Sequence, residues 1–324
     1  MQLIILAAFP RMDRTPTVMC IAGVLIFLTA LWAARTDVAR ARGLDKVVAL
    51  SNLCFAIPLA VFGALHLSAA PGLATMVPSY MPWHLFWAYF FGFALLASSL
   101  SIATKIQVRW SGLLFGIAMF LFVAMLMLPG ALANPKDRFA WTFVCRESSF
   151  GSGGWLLAGS AILAASAVRG PGDSRFGSTL ITVGRVIVGI AAILFGVEHF
   201  LHPANVPGVP LEKLLPPWIP GHTVISYLTG AMLVVSGAYF LLNRKSRMAA
   251  TYLGTGLVLI VLFVYGPILI SSLANTSTDV QVEGINYFAD TLLYAGTILA
   301  VASATRRMEP RTPSSGGVAK QISR

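Results

Sequence analysis

Four of the five histidines stand at the edges of apolar segments, in two pairs with similar surroundings: His66 with His84, and His199 with His222. Imidazole is suited to exchanging a proton near neutral pH, ligating a metal or haem, or hydrogen-bonding a quinone carbonyl. A short loop separates the members of each pair, so the two rings could converge across it. Further reactive groups gather near the second pair. Glu198 and His202 are four apart and share a helix face, a spacing that fits a metal-ligand pair, a proton relay or a hydrogen-bonded interfacial pair. Asp290 follows Asn286 and Tyr287 one turn into an apolar run. A carboxylate there needs a partner, with His199 or His222 the expected one. Tyr227, five residues beyond His222, completes the ligand-binding or proton-handling set. A structural reading stands beside the chemical one: Pro82 and Pro220 suit helix starts, and His84 and His222 can satisfy free backbone groups there.

The elements that must carry these residues are membrane spans. Of 324 residues 57% are hydrophobic and only 11% charged, with a mean hydropathy of +0.79. A soluble domain carries about 25% charged residues. That composition excludes a disordered chain, a secreted disulfide scaffold and a soluble nucleic-acid module. Cys20, Cys54 and Cys145 are scattered singly, with no metal-binding spacing. The expected architecture is an all-α polytopic membrane protein with nine transmembrane helices, near 17–34, 47–67, 83–104, 110–129, 152–168, 178–201, 221–242, 249–270 and 286–305. The first is read as a retained span rather than a signal peptide. Gly151, Gly153 and Gly154 crowd the start of the fifth, which places Arg138, Trp141, Arg146 and Glu147 in a long outer loop. There they could cover an outer pocket or pair with its acids, or simply be solvated.

Charge orients the spans. Of the 23 Lys and Arg, 17 fall on one side of the spans and six on the other; the 12 acids divide four to eight, so the two faces carry +13 and −2. The basic face should be cytoplasmic, with the N-terminus outside and the C-terminus inside. Anionic lipid accounts for the net charge of +11 without nucleic acid. Arg185, seven residues into the sixth span, can snorkel to the interface. Residues 308–324 read as a disordered cytoplasmic tail.

The chain also resembles itself. Phe62, Gly63 and His66 recur 133 residues later as Phe195, Gly196 and His199. Pro78, Tyr80, Pro82, His84, Tyr89 and Gly92 match Pro216, Trp218, Pro220, His222, Tyr227 and Gly230 at 138, as do Arg109 with Arg247, Gly116 with Gly254 and Pro129 with Pro267. Two four-helix units are expected, at 45–170 and 178–307, after an N-terminal segment, 1–44, carrying an extra span. An even number of spans per unit gives both the same orientation. The small residues Gly112, Gly116, Ala250 and Gly254 are spaced for close helix packing.

The second unit resembles the DoxX-like family of four-span membrane proteins through Gly184-Arg185, Phe195-Gly196, His199, the loop from Leu215 to His222, Tyr227 to Gly230, and Arg247 to Ala250. The first unit resembles it more loosely. The resemblance implies a bacterial cytoplasmic (inner) membrane protein, a quinone as cofactor ahead of haem or metal, and a membrane or periplasmic oxidoreductase as partner. Many members carry a Glu two or three residues after the second-helix Gly, where this chain has Ala94-Leu95 and Met232-Leu233. The expected function is a redox-accessory or quinone-interacting subunit with its site near the extracytoplasmic face. The alternatives are a small-solute or proton-coupled transporter and a purely structural or assembly protein.

Overall fold

A computed structural model describes residues 12–169, 174–211 and 213–308, so the expected tail, Met308 apart, lies outside the described residues. Among those residues the chain is helical and forms no strand. Among the described residues nine helices are long and apolar enough to cross a membrane: α1 Arg14–Arg40, α2 Asp45–Ser68, α3 His84–Thr104, α4 Val108–Ala133, α5 Arg138–Val168, α6 Ser174–Leu201, α7 His222–Leu241, α8 Ser246–Leu273 and α9 Thr278–Thr305. The protein is therefore an all-α polytopic membrane protein. Large apolar side chains such as Leu25, Trp32, Phe90, Phe93, Leu121, Leu228 and Phe263 face outward, as a lipid-facing surface requires.

Two helices are longer than the hydropathy pattern predicts. α5 starts at Arg138 rather than near 152, and α9 at Thr278 rather than near 286. Gly151 and Gly154 do not break α5, because they let it lie close against Gly116 and Gly112 of α4. Each glycine costs a helix about 0.5–1 kcal/mol of backbone entropy, which the contact between the two helices offsets. Arg138, Trp141, Arg146 and Glu147 consequently stand on a helix and not in a loop. Their spacing contains the signal: Arg138, Thr142 and Arg146 recur every four residues and share one face.

Helix pairing follows chain order in part. α2 packs on α3, α4 on α5, α6 on α7 and α8 on α9. Across these pairs, α5 runs along α6, and α9 runs along both α2 and α5. Helices from the two halves thus interleave around α9, whose Tyr294, Ala295, Ile298 and Leu299 are fully buried. Both α4 and α8 widen into a π-helical turn, at Val123–Met127 and Val261–Tyr265, just before Pro129 and Pro267. Proline has no N–H to donate and its ring crowds the preceding turn, so the helix relaxes into the wider form. The turns entering α4 and α8 likewise match: Lys105 and Gln107, then Asn243 and Lys245, all have positive φ.

Candidate functional site

The two histidines 133 residues apart, His66 and His199, stand in different surroundings. At His66 and at His199 the ring Nδ1 lies close to the carbonyl oxygen four residues earlier, 2.8 Å from Phe62 and 2.6 Å from Phe195. A carbonyl can only accept, so Nδ1 carries the proton in both rings, and in the neutral ring Nε2 is left as an acceptor. Each His Cβ rests against a glycine of the next helix, His66 on Gly92 and His199 on Gly230, and this close seat holds the ring in place.

The acceptor is used differently in the two halves. His199 is buried, and its Nε2 accepts the Gly208 N–H at 2.9 Å. Gly208 belongs to the loop between α6 and α7, which folds back into the bundle as a plug. Its arms are joined by Val206 N–H to Lys213 O at 3.0 Å and Leu215 N–H to Ala204 O at 2.9 Å. Its tip buries Val206, Val209 and Leu211, and the Tyr265 hydroxyl donates to Pro207 O at 2.7 Å. Gly208 has φ +102°, a conformation that side chains rarely adopt. Gly208→Ala should cost about 1–3 kcal/mol and release the tip; hydrogen exchange at residues 203–211 should rise while α2 and α3 stay protected.

In the first half the corresponding loop is five residues shorter and no plug forms. His66 instead borders a cavity of about 490 Å³, enclosed by α2, α3, α4, α5 and α9 and walled on one side by the plug residue Leu211. Six phenylalanines stand in its wall: Phe62, Phe91, Phe115, Phe122, Phe143 and Phe150. His66 forms no hydrogen bond through Nε2 among the described residues. His66, Phe91 and Phe122 also line a second, apolar slot of about 240 Å³ that runs between α3 and α4 toward lipid-facing Phe90 and Leu121.

Charged groups make up the opposite wall. Arg146 Nε and Nη2 donate to Glu147 Oε1 at 3.0 and 2.6 Å, and Arg146 Nη1 donates to Asp290 Oδ2 at 3.0 Å. One guanidinium thus ties α5 to α9 and faces two carboxylates, leaving one excess negative charge in a low-dielectric setting. Asn286, one turn before Asp290, also lines the cavity; its side-chain oxygen is buried and has no hydrogen-bond partner.

The residues picked out by sequence are therefore split. His66, Asp290 and Asn286 share the cavity. Asp290 takes Arg146 as its partner instead of the expected His199 or His222, because the extended α5 brings the arginine alongside α9. Glu198 is buried and bonds Arg138 Nη1 at 2.7 Å and the Thr142 hydroxyl at 2.9 Å, and has no bond to the His202 ring. His202 is exposed; its N–H donates to Glu198 O as the helix ends. His222 is exposed at the start of α7 with Thr223 Oγ1 3.1 Å from its Nδ1, and His84 starts α3 without meeting His66. Tyr227 is exposed and stacks on Phe200. The predicted convergence of His66 with His84 and of His199 with His222 is not found: each second histidine is the first residue of its helix, and neither helix start carries a side-chain cap hydrogen bond, so the expected satisfaction of free backbone groups by these two rings is not found either. Among the described residues no three His, Cys, Asp or Glu side chains gather to hold a metal ion. Comparison with known proteins adds no relative: no family model, curated protein or solved structure matches the chain.

Proposed function

We propose that the protein is a quinone-interacting, redox-accessory membrane subunit whose site lies in its first half, between His66 and the Arg146–Glu147–Asp290 cluster. The observation that carries this reading is the 490 Å³ cavity itself, with six phenylalanines in its wall, His66 on one side, polar and charged groups on the other and an apolar slot beside it. An aromatic ring fits the phenylalanine walls, and a lipid-soluble molecule can reach His66 along the slot between α3 and α4.

The donor set fits the reduced form of the carrier better than the oxidised form. His66 Nε2 accepts, so it suits a hydroxyl group of a quinol and not a quinone carbonyl, while the Asn286 amide on the other side carries both a donor and an acceptor and suits either. A quinol, when bound, would supply two electrons and two protons to a separate oxidoreductase. His66 would receive a hydroxyl proton at Nε2, and its Nδ1–H bond to Phe62 O would orient the ring. Arg146 holds Asp290 and Glu147 at the cavity wall, where the uncompensated carboxylate charge can take up a proton. The plug keeps His199 from doing the same in the second half.

This reading includes the wider assignment: a duplicated, DoxX-like chain in the bacterial inner membrane, with its N-terminus and this cavity on the outer side and its basic face and C-terminus in the cytoplasm. The paired π-turns, positive-φ residues and histidine bonds at matching offsets support the duplication.

The test is solvent extraction and chromatography of quinones from the full chain purified in lipid nanodiscs. About one quinone per chain should be retained, and His66→Leu should weaken retention by about tenfold, the worth of one buried hydrogen bond. His84→Ala should leave it unchanged. A wild-type protein that carries no quinone and shows no thermal shift with added decylubiquinol would end the proposal.

A further inference from the structure

The basic end of the bundle holds a cation that the charge asymmetry does not account for. Arg185 lies well inside α6, and the expected snorkelling to the interface does not occur: the residue is 6% exposed and its Nη1 is buried with no hydrogen-bond partner. Leaving a guanidinium buried and unpaired costs several kcal/mol, so the arrangement calls for an anion. Arg185 borders a cavity of about 790 Å³ together with Arg42, Lys245 and Arg247. Among the described residues Asp45 is the single acid in that wall, and it is held by Arg247 at 3.0 Å.

The start of α8 opens into the same cavity. Lys245, Ser246, Arg247 and Met248 all line it, and no side chain caps the helix. The first-turn amides of a helix have no partner within it, and its dipole presents partial positive charge there. Basic residues at this end of a helix are unfavourable by themselves; an anion seated among them reverses that sign.

The related place in the first half shows what the absence of such a site looks like. A cavity of about 650 Å³ lies there beside Lys105, Gln107 and Arg109. The position 133 residues before Arg185 is Asn52, whose amide donates to Ile102 O at 3.0 Å. The position 138 before Lys245 is Gln107, and Lys105 is ion-paired with Asp37. On that side Asn52 is satisfied and Lys105 neutralised, whereas Arg185 Nη1 has no hydrogen-bond partner and Lys245 has no ion pair among the described residues.

We infer that the cavity between α6, the start of α8 and the Arg42–Asp45 turn binds a phosphoryl group, with Arg185 at its buried floor and Lys245, Arg42 and the α8 amides around it. A phosphate suits this donor set: its oxygens can accept from the guanidinium fork and from backbone N–H groups together. Such a group can come from the headgroup of an anionic phospholipid or from a free phosphate compound.

Native mass spectrometry on the full chain separates the sources. One sample is delipidated in maltoside detergent and titrated with inorganic phosphate; the other is reconstituted in phosphatidylcholine nanodiscs containing phosphatidylglycerol and then released. Saturable phosphate binding indicates a free-anion site. Phosphatidylglycerol retained in preference to phosphatidylcholine, and not displaced by phosphate, indicates a headgroup site. Either result supports the inference. The double variant Arg185→Asn, Lys245→Gln places first-half residues at both positions and should weaken binding by at least about tenfold, while Arg109→Gln should not change it. Lys245→Gln alone, at an exposed position that folding tolerates, should weaken it about threefold. Binding of neither probe by the wild type, or wild-type binding by these second-half variants, would overturn the inference.

Discussion

Replacing Arg146 with alanine should destabilise the protein by about 3–5 kcal/mol, more than any other single side-chain deletion proposed for this chain. The guanidinium is the only cation bonded to Asp290 and Glu147 among the described residues, and both carboxylates are largely buried. Removing it leaves two like charges facing each other at the junction of α5 and α9, where water reaches them poorly. The loss should appear as a lower unfolding midpoint in detergent, with α9 amides exchanging faster. The triple variant Arg146→Met, Glu147→Gln, Asp290→Asn should regain much of the lost stability, because it removes the charges together with their partner. If Arg146→Ala unfolds at the wild-type midpoint, the cluster does not fasten α5 to α9.

Gly112→Leu should be the next most damaging change. A Cβ at Gly112 would lie 2.5 Å from the Gly154 carbonyl oxygen and 3.1 Å from the Ala158 nitrogen. Both are backbone atoms of α5 and cannot swing aside as a side chain can. Adding even one methyl therefore forces α4 and α5 apart, at about 1–3 kcal/mol, and leucine costs more. Since α5 also supplies Arg146, Phe143 and Phe150 to the cavity, Gly112→Leu should reduce quinone retention as well as thermal stability. Gly130→Ala is the control: nothing stands within 4 Å of a Cβ there. Its stability should stay at or slightly above that of the wild type.

Much of the fold was legible because a bilayer imposes one simple demand, a long apolar helix for each crossing. That demand identified all nine helices but not their ends. Hydropathy falls where Arg138, Arg146 and Glu147 occur, although the chain stays helical because those charges find partners on α6 and α9. The period-four recurrence of Arg138, Thr142 and Arg146 was the readable sign of that helix. Of the candidate cavity, the sequence singled out His66 and Asp290, which both line it. It favoured the second half, where Glu198, His202 and Asp290 are extra, and so missed that the open cavity lies in the first.

The reason is that a loop's length is visible in sequence while its path is not. Five added residues between α6 and α7 read as a longer surface connection; in three dimensions they let Gly208 reach His199 and close the second half. The same limit applies to Arg185, whose place near a span end suggested snorkelling, although neighbouring helices bury it. Composition and periodicity by themselves determined the membrane class, the number of spans and the separation of charge between two faces, because these depend on each segment's own transfer into lipid. Which histidine stays open, which acid meets which arginine and which arginine is left without a partner were decided only by tertiary packing, because each depends on helices distant in sequence meeting at a particular depth.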